Sequence, residues 1–379
     1  MKSRVLSFAS LAAPLTRAHT QAFIDRLQEV APRLTCQLNV LPSPVPAAER
    51  DDEVFVAVSR GEMHYLESVL QQEQARLVVV EAADMVLPLP DDLAVLCVPD
   101  RAAPFDAYLN RQGLIMDDME PGGKVGVLSM RSRSQMAALW PELDFRILRG
   151  GVDRAMETHM RKSEIDGLIV PAAVTEHLGI QGVVAEIYAP DFILPSPGQG
   201  ILAVIGRAAD AEARELLAPL HSPDTAVELA AEQAFCRRMI SDQDLPVGAL
   251  AKSEHGEVAI CGATGAGLSR IVVNGANEEA EAVGAGLAQQ ILSSGESFAD
   301  LLEADFPDGL PDDPEDGGDD EDAVIMGDFD YDGGDDEDGG FDDLDDLDEQ
   351  ERMRALEDMA GVVEDEDGDE DDDEEDAYD

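Results

Sequence analysis

Short apolar runs rich in β-branched residues recur through the first 205 residues, and stretches with helical spacing separate them. The runs are 77–80, 94–98, 124–128, 144–148 and 166–170. Runs of this length are typical of buried strands, and strands that alternate with helices favour parallel sheets covered by helices. The pattern therefore predicts an α/β protein with largely parallel sheets.

The N-terminal residues allow two interpretations. Residues 1–18 hold Lys2, Arg4 and Arg17 and no acidic residue, as a targeting segment would. The apolar spacing that follows instead favours a first strand and then a helix over 16–30. We prefer the second interpretation.

Prolines and glycines surround Gln199 in the stretch 193–200, and an apolar run over 201–205 follows at once. Proline fixes φ and glycine frees it, so the stretch predicts a shaped turn that leads into a buried strand. A crossing between two domains that carries no chemistry would have the same local pattern.

From residue 222 the pattern changes. One long helix is predicted over 223–239, and short strands follow at 247–251, 257–261 and 270–273. A helix over 278–292 completes a small α+β domain.

The formal net charge of -56 is concentrated at the C-terminus. Residues 301–379 contain 40 Asp and Glu against two arginines, whereas residues 1–300 contain 42 acidic and 24 basic residues. An acidic segment of this kind buries too little apolar surface to fold, so 298–379 is predicted to be a disordered tail. Apolar residues over 344–359 suggest a transient helix for an unidentified protein partner.

The composition also excludes several partners. An acidic body does not suit nucleic acid, and no apolar run is long enough for a membrane helix. The four cysteines are Cys36, Cys97, Cys236 and Cys261, and their spacing matches no metal site. We expect reduced thiols in a cytoplasmic monomer without a metal.

Five pieces of the sequence, in order and spacing, resemble the porphobilinogen deaminase (hydroxymethylbilane synthase) family. They are 126–135, Leu148-Arg149-Gly150-Gly151-Val152-Asp153, 166–179, 194–200, and Ala231-Glu232-Gln233-Ala234-Phe235 with Leu245-Pro246-Val247-Gly248. The resemblance is strong over roughly 120–295, thinner over 1–119, and absent from the tail.

The resemblance implies two lobes like those of periplasmic binding proteins. The first would comprise 1–99 with 194–218 and the second 100–193, followed by the small domain over 222–297. It also implies an activity, the condensation of four porphobilinogens with loss of ammonia. In the family, a cysteine holds a dipyrromethane primer through a thioether.

The implied chemistry explains which residue types such a site needs. Arginines bind the acetate and propionate groups of each pyrrole. A carboxylate stabilises the positive charge that develops as ammonia leaves, and a thiol anchors the primer.

The family's catalytic aspartate falls on Asp84, for which a solvated turn carboxylate is the alternative. The lysine expected before it is Ala83. The implied substrate-binding residues are Ser129, Arg131, Arg133, Arg149 and Arg154. A surface salt bridge is the alternative for Arg149.

The primer cysteine falls on Gln243, and an amide cannot form a thioether. Cys236 and Cys261 are expected to be buried structural thiols. Three interpretations therefore stay open: a working deaminase with an unusual primer arrangement, a family member that lost its chemistry and serves as a binding or regulatory protein, and a two-lobed anion-binding protein.

Overall fold

The computed structural model describes residues 5–160, 162, 164–239, 246–267 and 269–293. Gln243 and the predicted acidic tail over 298–379 lie outside these residues. The described strands are β1 (Val5–Leu11), β2 (Thr35–Leu41), β3 (Leu77–Glu81), β4 (Leu93–Cys97), β5 (Asp106–Asn110), β6 (Lys124–Val127), β7 (Asp144–Ile147), β8 (Gly167–Pro171), β9 (Val184–Tyr188), β10 (Leu202–Arg207), β11 (Val247–Glu254), β12 (Glu257–Thr264) and β13 (Ile271–Ala276). The described α-helices are α1 (Pro14–Val30), α2 (Ala47–Asp51), α3 (Arg60–Gln71), α4 (Met130–Leu139), α5 (Gly151–Arg154), α6 (Ala172–His177), α7 (Ala211–Leu217), α8 (Pro223–Met239) and α9 (Ala280–Ser293).

The first lobe is built on a five-stranded sheet in the order β2-β1-β3-β10-β4. Helix α1 starts with a proline in its first turn, where the missing N–H costs no hydrogen bond. Phe23 and Leu27 of α1 pack against Leu6 and Phe8 of β1 in a buried core. The predicted first strand and helix are confirmed.

The second lobe is built on a five-stranded sheet in the order β7-β6-β8-β5-β9. Its core includes Tyr108, Val125, Phe145 and Ile169, all buried. Strand β6 is parallel to β7 and β8, whereas β5 is antiparallel to β8 and β9.

The prediction of largely parallel sheets is confirmed, with one of the five strands reversed in each sheet, β10 in the first and β5 in the second. In the first sheet β10 runs antiparallel to β3 and β4. The physical reason is the path of the chain. Strand β10 starts at Leu202, opposite Glu81 at the end of β3, so a chain returning from the second lobe must run back along its neighbours.

Two segments, 98–105 and 189–201, connect the lobes. They bond to each other through Ala102 N and the Gly200 carbonyl at 2.9 Å. Gly200 has φ of 75°, and a Cβ there would lie 2.9 Å from the Ala102 carbonyl oxygen. Glycine is therefore required where the two segments touch. The predicted turn leading into a buried strand is confirmed.

A third, antiparallel sheet in the order β11-β12-β13 packs with α8 and α9. Phe235 of α8 is buried with Ile260 and Leu287. The long helix has the predicted bounds of 223–239. The domain boundaries given above stay a prediction.

Local differences from the predictions are small. Helix α5 has only four residues and is followed by a π-helical turn at Ala155–Met160. Strands β2, β5 and β9 and helix α3 are not predicted. Among the described helices, none is long and apolar enough to cross a membrane.

Candidate active site

A cavity of about 580 Å³ lies where the two lobes meet the third sheet. The first lobe contributes the turn after β3, the second lobe contributes the start of α4, and α8 closes the third side. The polar residues among those that line it are Asp84, Ser129, Arg131, Ser196, Gln233, Cys236 and Arg237.

Asp84 stands at the end of a 3₁₀ turn after β3 and is 1% exposed. Its Oδ1 accepts a hydrogen bond from Val56 N at 3.1 Å, and its Oδ2 accepts from Ala57 N at 2.7 Å and Val58 N at 3.0 Å. Burial raises the pKa of Asp84 to about 6, opposed by these three N–H groups. The alternative of a solvated turn carboxylate does not hold.

A second buried carboxyl group, Glu81, lies three residues before Asp84. Its Oε1 accepts from Gly200 N at 3.1 Å, and its buried Oε2 has no hydrogen-bond partner among the described residues. Burial and the charge of Asp84 raise the pKa of Glu81 to about 8. At neutral pH Glu81 therefore holds a proton while Asp84 is ionised.

Arg131 uses all five of its N–H groups inside the chain. It pairs with the buried Asp106 through Nη1–Oδ2 at 2.7 Å and Nη2–Oδ1 at 3.2 Å. It also donates to Ser196 Oγ, the Leu194 carbonyl and Ser132 Oγ, at 3.0, 3.0 and 2.8 Å. These bonds brace α4 against the 189–201 segment, and the predicted binding of a substrate carboxylate by Arg131 stays a prediction.

Ser129 and Arg133 lie at the start of α4. The Ser129 hydroxyl caps the helix by accepting from Ser132 N at 3.0 Å, and it lines the cavity. Arg133 donates to the Phe145 carbonyl at 3.2 Å and is not among the lining residues. The predicted substrate role of Arg133 therefore has no support in its position.

Residues 51–58, which we call the strap, cross from the first lobe to the second. Gly150 N donates to the Glu53 carbonyl, and Val152 N donates to the Val56 carbonyl, both at 3.0 Å. On the first-lobe side, Asp84 holds the strap through the three bonds given above. The strap thus covers one wall of the cavity.

The strap engages two of the predicted substrate arginines. Arg149 donates through Nη1 to the Asp52 carbonyl at 2.5 Å, and Arg154 forms an ion pair with Asp51. Both arginine side chains are largely exposed. Neither is among the residues that line the cavity.

Helix α8 presents Cys236 and Arg237 to the cavity. Cys236 is half-buried, and this position differs from the expected buried structural thiol. Arg237 lies 3.7 Å from Glu281 in a partly exposed ion pair. Helical spacing in the sequence already indicates that these residues lie together, because 229, 233, 236 and 237 share one face of the helix.

Sequence reasoning also missed Arg101 and Glu232, which join the third sheet to the lobe crossings. Glu232 is fully buried and accepts from Arg101 Nη1 at 2.7 Å, Gly198 N at 2.6 Å and Ala251 N at 2.7 Å. Arg101 also donates to the Gln199 carbonyl at 3.1 and 2.9 Å. These bonds fix α8 to both crossing segments.

Comparison with known proteins gives a consistent assignment. Residues 8–215 match the family described as "Porphobilinogen deaminase, dipyromethane cofactor binding domain". The chain belongs to the porphobilinogen deaminase family. The porphobilinogen deaminase of Roseiflexus castenholzii is 32% identical over 301 residues, which cover 76% of this chain and 96% of the relative. That of Roseiflexus sp. is 31% identical over 303 residues, covering 77% and 97%.

Solved structures with a similar outline include two binding proteins. The methionine-binding protein MetQ has a TM-score of 0.37 and 9% identity, covering 58% of this chain and 90% of that one. The periplasmic aliphatic sulphonate-binding protein SsuA of Escherichia coli has a TM-score of 0.34 and 11% identity, covering 62% and 75%. Scores of this size say nothing about function.

The sequence resemblance puts the family's primer cysteine at position 243, where this chain has a glutamine. Gln243 lies outside the described residues, and its amide cannot form a thioether. The described residues contain no group of three or more side chains suited to a metal ion.

Proposed function

We propose that this chain acts as a hydroxymethylbilane synthase-like enzyme of tetrapyrrole biosynthesis, which condenses four porphobilinogens stepwise with loss of ammonia. The observation that carries the proposal is the buried carboxylate of Asp84 on the wall of a cavity that both lobes and α8 share. Family membership supports the substrate class, an anionic pyrrole.

Asp84 has the charge state that the reaction needs. With a pKa of about 6 it is ionised at neutral pH, and it sits where little water screens its charge. The three backbone N–H groups hold its orientation. A fixed carboxylate of this kind stabilises the positive charge that develops on the pyrrole as ammonia leaves.

The cavity residues fit the family's dipyrromethane in part. Arg237 of this cavity can bind one carboxylate of the ligand. When bound, dipyrromethane supplies the acceptor for the first substrate unit. A thioether at residue 243 is chemically excluded, so any covalent link requires another thiol.

The experiment is incubation of the full-length chain with porphobilinogen without oxygen, measuring substrate consumption and ammonia release. The matched variants are Asp84→Asn and, as a control on the exposed face of α1, Asp25→Asn. We expect turnover by the wild type and by Asp25→Asn and a loss of at least about a hundredfold in Asp84→Asn. No consumption by the wild type would refute the proposal.

One observation favours a second candidate, a carboxylate-binding protein without turnover. Gln243 stands at the position of the family's primer cysteine, so that position has no thiol to start the condensation. Calorimetry with porphobilinogen separates the two functions, since binding without ammonia release supports the second candidate.

A further inference from the structure

We infer that Cys236 replaces the missing family cysteine and forms the thioether to the first pyrrole unit. The inference rests on the proposed function and adds to it a covalent attachment site. It names the ligand class as an aminomethyl pyrrole with acidic side chains.

The position of Cys236 supports this assignment. It lines the cavity of about 580 Å³ together with Leu229, Gln233 and Arg237 of the same helical face. Asp84 lines the same cavity. A pyrrole linked to Cys236 would therefore share a cavity with the proposed catalytic carboxylate and with Arg237, which can bind an acidic side chain.

The other three thiols are placed differently. Cys97 is fully buried in β4, where burial raises its pKa to about 12. Cys36 lies in β2 at the edge of the first sheet, and Cys261 lies in β12 of the third sheet. All four cysteines belong to the described residues, and of these only Cys236 lines the cavity.

A separate observation points to a ligand group bound next to the main cavity. A smaller cavity of about 30 Å³, large enough for one small polar group, adjoins the main one and shares Ala83, Ser129 and Arg131 with it. Glu81 lines this small cavity, is 2% exposed, and leaves its Oε2 without a partner among the described residues. A buried carboxyl oxygen without a partner destabilises the site, and a ligand group that hydrogen-bonds to it would remove that cost.

The attachment step balances without any further reactant. The C–N bond of the aminomethyl group breaks, and nitrogen keeps the electron pair. The Cys236 sulfur forms the new C–S bond to the methylene carbon, and the thiol proton leaves with ammonia. No atom changes its overall oxidation level, so neither an oxidant nor a reductant is needed.

Intact-mass measurement of the full-length protein after incubation with porphobilinogen tests the inference. We expect the wild type to gain mass in steps of one pyrrole unit less ammonia. Fragmentation of the digested wild-type protein should locate the added mass on the peptide containing Cys236. Because this mapping uses the wild type, it does not depend on the folding of a variant.

Two variants complete the test. Cys236→Ser should gain no mass, whereas the matched control Cys261→Ser should gain mass as the wild type does. Addition that persists in Cys236→Ser, or that maps elsewhere, overturns the inference and leaves the proposed function standing. Ammonia release by a wild type that gains no mass overturns it in the same way. A wild type that neither gains mass nor releases ammonia would overturn both this inference and the proposed function.

Discussion

Replacing Asp84 by asparagine separates the stability of the fold from the proposed chemistry. The pKa of this carboxyl rises from an ordinary value of 3.8 to about 6 on folding, chiefly because it is buried. Each pKa unit corresponds to about 1.4 kcal/mol, so the ionised group costs the folded state about 3 kcal/mol at neutral pH.

The sign of the pH dependence follows from the two pKa values. Between about pH 4 and pH 6 the folded protein keeps the Asp84 proton that the unfolded chain has lost. This group therefore lowers the free energy of unfolding as the pH rises through that window. Asparagine has no proton to lose, so this contribution is absent from Asp84→Asn.

Asparagine also changes the hydrogen bonds. Its one oxygen can still accept from Ala57 N and Val58 N, but its NH₂ group would face Val56 N, which is also a donor. The lost bond costs about 1–3 kcal/mol at every pH. We expect Asp84→Asn to be less stable than wild type near pH 4 and equal to it or up to about 2 kcal/mol more stable at neutral pH.

Urea unfolding followed by circular dichroism between pH 4 and pH 7 checks this prediction, with Asp25→Asn as the control. The difference between Asp84→Asn and wild type should change by about 3 kcal/mol across the range, whereas the control should follow the wild type. Parallel pH curves for Asp84→Asn and wild type would show that the buried carboxyl does not titrate as described.

Three further changes have expected outcomes. Asp106→Ala should cost about 3–5 kcal/mol, because it leaves the buried Arg131 charge without its partner, and a fall in the urea midpoint measures it. Gly151→Ala should destabilise the packing of the strap against the second lobe by about 1–3 kcal/mol, because φ is 81° and the new Cβ would lie 2.4 Å from the Phe55 ring. Faster hydrogen exchange over 51–58 would measure this effect. Asp51→Asn removes the ion pair with Arg154, which is worth at most about 1 kcal/mol, and so frees Arg154 for the substrate. The KM for porphobilinogen should therefore fall by up to about fivefold. An unchanged KM would mean that the strap does not compete with the substrate.

Local patterns predicted much of the fold. The short β-branched runs became β3, β4, β6, β7 and β8, and the Pro and Gly positions around Gln199 formed the expected turn. These features depend on the backbone preferences of a few neighbouring residues, which a sequence shows directly.

The site was harder to predict from the sequence, because its residues come from segments that are far apart in the chain. Asp106 and Arg131 form an ion pair between separate elements, and the residues next to each of them in the sequence do not predict that pairing. The strap is similar, since its bonds to Gly150 and Val152 join segments about a hundred residues apart. For Cys236, helical spacing gives the face of α8, but only packing decides which face borders the cavity.

The bonds of Glu232 also bear on how the molecule can move. One buried side chain ties α8 to both segments that join the lobes, through Arg101 on one and Gly198 on the other. Any opening of the lobes that keeps these bonds would leave α8 attached to the connecting segments. A product chain attached to α8 would then keep its place while the lobes around it separate to make room.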